Sequence, residues 1–245
     1  MKEYSIKTFK DIKKIRNQVL YHSVSLKYWK ESNIIKDEAF SDCINTMIVT
    51  DCSSIKFIGN KAFKGCTNLK LFDGSPLKIG EESFAFCSNL ENFNFFQLAA
   101  LEKSAFEFSG LKEAILSPTI QEIPENCFSG CVQLKKLSMP SVEIIHKNAF
   151  DCCAFKVVNL PMSLEKIEPR AFNACFRLTD ILCDSPNPPK ISTTSFINTP
   201  IQNIWFTSQD ILEKYKTAAG WEKYSDKMKV IDSVENFKKY LKNLV

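Results

Sequence analysis

The sequence predicts an α/β solenoid: a coil of parallel strands with short helical turns and a helical cap at each end. Three observations predict it. A phenylalanine recurs at Phe40, Phe63, Phe84, Phe106, Phe128, Phe150, Phe172 and Phe196, in steps of 21 to 24 residues. Five positions before each stands an aliphatic residue: Ile35, Ile58, Ile79, Leu101, Ile123, Ile145, Ile167 and Ile191. Directly before each stands a small one, such as Ala62, Ser83, Cys127 or Ala149. A period held over eight copies marks units that bury an apolar edge only against their neighbours.

The rest of each unit follows from the same alignment. Three positions after the phenylalanine comes Cys43, Cys66, Cys87, Cys131, Cys153 or Cys175, replaced by Ser109 and Thr199 in two copies. An apolar residue then opens an alternating run such as Leu134–Pro140. That run reads as a strand with Leu134, Leu137 and Met139 inward, ended by Pro140, which has no N–H for a ladder. Val142–Ile145 reads as a second extended stretch, and residues 147–152 as a tight helical turn that throws Phe150 into the core. Parallel coils rise by about 4.8 Å, so each side chain stacks on its own copy in the next coil.

The pattern LxxLxLP–x–LxxIxxxAFxxCxxL resembles the BspA-type leucine-rich repeat, over about residues 24–231. The departures are local: a degenerate first copy around Ser32 and Cys43–Val49, and Pro76 and Pro188 in place of an aliphatic residue. The resemblance implies a right-handed leucine-rich-repeat solenoid. It also implies a non-enzymatic binding role, since some members are surface adhesins for host or matrix proteins.

Taken in order, residues 1–23 are expected to form a helical N-terminal cap. Ile6, Phe9, Ile12, Ile15 and Val19 give residues 5–20 an apolar helical face, with lysines opposite. Tyr28 and Trp29 are expected to pack in that cap region. Eight repeats of about 22 residues fill 24–202. Residues 203–231 are expected as a strand-helix cap that resembles the family's closing segment. In it Thr207 caps the helix, Asp210 stands at the third position, Gly220 gives the exit, and Ile211, Leu212, Tyr215 and Trp221 cover the open end. Residues 232–245 are expected as a helical extension, with Val234, Phe237, Leu241 and Leu244 on one side.

The net charge of +4 is unevenly spread. Residues 1–36 carry nine Lys/Arg and three acids, residues 213–245 eight and five, and the body between them fifteen and twenty. Basic ends can meet nucleic acid or an anionic surface. Without interleaved aromatics or a nucleic-acid motif, they read as solvated helix faces. The N-terminus has charges where a signal peptide has an apolar stretch, and no run approaches the length of a membrane span. With a free-cysteine ladder, this favours a cytoplasmic protein; the family resemblance offers the cell surface as the alternative. Six of the ten cysteines follow the repeat, with no CxxC. They read as a ladder of small buried thiols. Disulfides between stacked cysteines are the competing reading, and a linear ladder lacks the tetrahedral set that zinc needs.

No catalytic constellation, phosphate loop or metal motif occurs, so no enzyme activity and no cofactor are expected. A Cys152–His146 pair is the nearest approach to a nucleophile and base. The positive expectation is a protein partner bound on the strand face by a monomer, with no small-molecule substrate; the alternative is a cytosolic scaffold that grips a larger assembly through its basic end helices. Alternation places Leu71 and Asp73, Asn92, Asn94 and Phe96, Glu113 and Ile115, Lys136 and Ser138, Val157 and Asn159, and Asp180 and Leu182 outward. Phe96 and Ile115 are the expected anchors, as exposed apolar groups on a rigid sheet suit recognition.

Overall fold

A computed structural model describes residues 3–5, 7–8, 23–27, 33–183 and 185–231. Two stacks of short parallel strands run along it. One stack, the strand face, joins Glu3–Ser5, Ser23–Ser25, Ile48–Thr50 and Leu71–Phe72, then Glu113–Ile115 with Lys136–Ser138. It continues with Val157–Leu160, Asp180–Cys183, Asn203–Phe206 and Met228–Val230. The other stack joins Ile34–Ile35, Phe57–Ile58, Lys78–Ile79 and Ala100–Leu101, then Glu122–Ile123, Ile144–Ile145, Lys166–Ile167 and Lys190–Ile191. All strand pairings among the described residues are parallel and in the expected register, with Ile145 on Ile123 and Ile167 on Ile145. The chain is a parallel-strand solenoid.

The core is the predicted ladder. The eight repeat phenylalanines are buried. Their rings stack at 4.8–5.7 Å from Phe40 to Phe196. The repeat cysteines are buried beside them as free thiols. Position, rather than bulk alone, explains the choice of cysteine. Cys66 Sγ donates to Phe40 O at 3.0 Å, Cys131 to Phe106 O at 3.1 Å and Cys175 to Phe150 O at 3.1 Å. Thr199 Oγ1 does the same to Phe172 O at 2.5 Å. The site calls for a small side chain that donates to the phenylalanine carbonyl of the preceding coil.

Three expectations are corrected here. The segment around each phenylalanine is not helical. In the Phe150 copy, Ala149 N bonds His146 O and Cys153 N bonds Phe150 O, closing two turns. Between them Phe150 N reaches Ala171 O and Cys152 N reaches Asn173 O in the next coil. The turns thus form a third ladder, and every alternate amide is spent on it. The turns closed by Ala149 N and Cys153 N have a residue with positive φ at the third position, Asn148 at 56° and Cys152 at 60°. Second, Glu3–Ser5 is a strand paired with Ser23–Ser25, so the first coil begins inside the region expected to be only a helical cap. Within the predicted 5–20 helix residues 7–8 are not helical, and its remainder, with Tyr28, Trp29 and the 232–245 extension, lies outside the described residues. Third, the C-terminal helix Gln209–Thr217 is capped by Ser208, whose side chain accepts from Ile211 N at 3.3 Å, and not by Thr207. A 3-10 helix, Glu222–Lys227, then leads into the strand Met228–Val230, which the repeat pattern did not foretell. Trp221 is fully buried, with Nε1 donating to Pro189 O at 2.8 Å.

Candidate binding face

The strand face begins with the burial alternation of its strands. Inward Leu111, Ala114 and Leu116 are buried, and Ile115 between them is 59% exposed. The preceding coil, residues 92–96, has the same phase but forms no strand. Phe93 and Phe95 both pack inward, where Phe93 meets Phe84 at 5.1 Å and Phe106 at 5.0 Å. Phe95 meets Phe106 at 5.3 Å and Phe128 at 6.2 Å. The corresponding inward residue of the next coil is the much smaller Ala114, and the two rings occupy the room it leaves. The strand ladder is interrupted at this coil, as it is again between Lys136–Ser138 and Val157–Leu160. Phe96, directly after them, is turned out and 79% exposed.

At that interruption lies a groove of about 400 Å³. It brings together Asn94, Phe96, Glu113, Ile115 and Ser138 from the expected outward set, along with Ser117, Pro118 and Pro140. The last three were not anticipated, because they sit in the loops that leave the strands. The proline at the end of the repeat motif was read only as a strand terminator.

The other expected residues fall elsewhere. Leu71, Asn92, Lys136 and Asn159 are exposed and Val157 is half-buried, but none of them lines the groove. Asp73 is committed to structure: its carboxylate accepts from Asp51 N at 2.9 Å and Cys52 N at 3.0 Å. Asp180 and Leu182 are covered rather than open to solvent, being 2% and 7% exposed. Asp180 Oδ1 accepts from Trp205 Nε1 at 2.9 Å and Asn203 Nδ2 at 2.8 Å. A carboxylate there serves the closing coil by satisfying an indole N–H. Alternation alone could not show this, because it ignores what lies across the strand.

The possible nucleophile pair is not formed. The ring nitrogens of His146 face Glu122 Oε2 at 2.8 Å and Glu168 Oε2 at 3.3 Å, in the coils on either side. The Cys152 thiol donates to Asp151 Oδ1 at 3.3 Å, and burial with that carboxylate pushes its pKa up, away from a reactive thiolate. Burial likewise raises the ladder thiols, Cys131 and Cys175 to about 12. Among the described residues no cluster of three His, Cys, Asp or Glu side chains is placed to hold a metal, and no helix is long and apolar enough to cross a membrane.

The family described as BspA type leucine rich repeat region matches residues 13–135 and 99–217, in six copies. No curated protein matches the chain. Among solved structures, a leucine rich cell surface protein from Faecalibacterium prausnitzii is 26% identical with a TM-score of 0.58, over 64% of this chain and 44% of that one. A leucine-rich repeat protein from Bacteroides ovatus is 20% identical with a TM-score of 0.44, over 82% of this chain and 65% of that one. This chain therefore spans less than two thirds of either protein.

Proposed function

From the premise that this chain belongs to the BspA-type leucine-rich repeat family, we propose that it is a non-enzymatic interaction module that binds a protein partner through its strand face. The observation that carries this reading is the groove at residues 94–96 and 113–118, which both expected anchors, Phe96 and Ile115, line. Exposed apolar side chains beside a concavity on a rigid scaffold are the usual ingredients of a recognition hot spot. Pull-down with the intact protein and with a Phe96→Asp/Ile115→Asp variant that melts normally tests it. A partner captured by the first and lost by the second supports the reading, and a partner kept by both places binding elsewhere.

A second reading, a surface adhesin for host or matrix proteins, is favoured by the likeness to a cell surface protein. It stands beside the cytoplasmic expectation, for which the structure offers no support. Binding to immobilised matrix proteins that disappears in the same variant would join the two readings. Retained binding would move the adhesive surface off the groove.

A further inference from the structure

Several residues that line the groove have backbone groups without a protein partner among the described residues. In the pair formed by Glu113–Ile115 and Lys136–Ser138, Lys112 O accepts from Lys135 N and Lys136 N, and Leu116 N donates to Ser138 O. Parallel ladders use alternate residues on alternate sides. The amides and carbonyls of Glu113 and Ile115 therefore point the other way, toward residues 92–96. No backbone bond joins them to that coil, apart from Lys112 N to Glu91 O at the edge. Among the described residues, the N–H groups of Asn92, Phe93, Asn94 and Phe95 likewise find no protein acceptor. Glu113 is the one charged side chain on the groove, and its carboxylate makes no ion pair or hydrogen bond among the described residues. Its register partner on the same face is Lys136, with which it forms no ion pair, while Lys112 and Glu91 are paired with each other at 2.6 Å.

We propose that this groove takes an extended peptide segment of the partner. The segment's main chain bonds the open backbone groups, a Lys or Arg meets Glu113, and an adjacent apolar side chain sits between Phe96 and Ile115. The inference rests on the strand-face reading and names what that face recognises. Three features choose the occupant. Unpaired backbone groups call for a ligand that brings its own donors and acceptors in a row, as an added strand does. An unpaired carboxylate calls for a cation. Phe96 and Ile115 call for an apolar anchor.

The test pans a displayed library of random linear peptides against the intact protein, with the Phe96→Asp/Ile115→Asp variant as counter-selection. Enriched sequences are expected to carry a basic residue next to a β-branched or aromatic one. Synthetic versions should bind about tenfold more weakly to Glu113→Gln. They should lose about fivefold for each backbone N–H blocked by methylation on the side facing the groove. Acidic sequences, peptides indifferent to methylation, no enrichment, or equal enrichment on the double variant would each overturn the proposal. A protein partner lost on the double variant while the peptide test is negative would leave the strand-face reading standing and remove only the extended-peptide occupant.

Discussion

Two kinds of residue in this repeat do work that hydrophobic pattern does not reveal. The ladder cysteine donates to a carbonyl that already accepts once: Phe150 O takes Cys153 N at 3.3 Å and Cys175 Sγ at 3.1 Å. Replacing Cys153→Ala removes such a donor from Phe128 O and should cost about 1–2 kcal/mol in a denaturant melt. Cys153→Ser keeps a hydroxyl donor, as Thr199 does naturally in its copy, and should cost less than the alanine variant. Equal losses would make the position one of volume only. The residue two places after each phenylalanine has positive φ in all eight copies, and glycine fills it only at Gly65 and Gly130. Gly130 is fixed by its neighbour as well as its dihedral, because a Cβ there would stand 2.3 Å from Phe108 Cδ1. Gly130→Ala should therefore destabilise by about 1–3 kcal/mol. In a Phe108→Ala background the penalty should shrink to the backbone part. A double-mutant cycle measures the difference, and strict additivity would show that the ring is not what excludes the side chain.

Each coil is the smallest element with a recognisable sequence, and its energetics are those of contact with the coils above and below. Phe128 lies between Phe106 at 5.7 Å and Phe150 at 5.5 Å and is fully buried, so Phe128→Ala should cost about 3–5 kcal/mol. On the opposite side, Lys166 beside Glu168, together with Lys147 N and His146, holds that carboxyl below its ordinary range. The sign follows from linkage: with a folded pKa lower than the unfolded one, the contribution is present above the ordinary carboxylate pKa and is lost as pH falls through the folded value. Glu168→Gln should flatten the acid limb of the stability profile relative to the parent and leave its shape near neutrality unchanged. At this scale the sequence was most legible where one residue repeats with one role. The phenylalanine, the aliphatic residue before it and the cysteine after it were all placed correctly. It was least legible where backbone bonds change partner. A run such as KNAFDC looks helical, and only the next coil's carbonyls, unseen in a single repeat, draw its alternate amides outward into a ladder.

At the scale of the whole molecule a solenoid has two open ends and no other way to finish than a cap. The C-terminal cap was legible in Trp221, Tyr215 and Leu212, which are all buried, because large apolar groups outside the repeat register need a surface to cover. The candidate groove was half legible. Alternation found Phe96 and Ile115, but it could not foresee that residues 92–96 beside them would form no strand. The same neighbour-only logic decides how the molecule should fail. Trp221 packs at 6.1 Å from Phe196, the last ring of the ladder, and at 5.1 Å from Tyr215. Removing it in Trp221→Ala takes away the cover and the Nε1 bond to Pro189. A loss of about 3–5 kcal/mol falls first on the coil it touches, because stability in stacked repeats is a sum of local and nearest-neighbour contributions. Amide hydrogen exchange should then show protection lost at the turns of Phe196 and Phe172, with those of Phe63 and Phe84 keeping the parent's protection. A uniform fall along the whole ladder would mean that the stacked rings couple the coils into one cooperative unit, and that the cap holds up the far end as firmly as the near one.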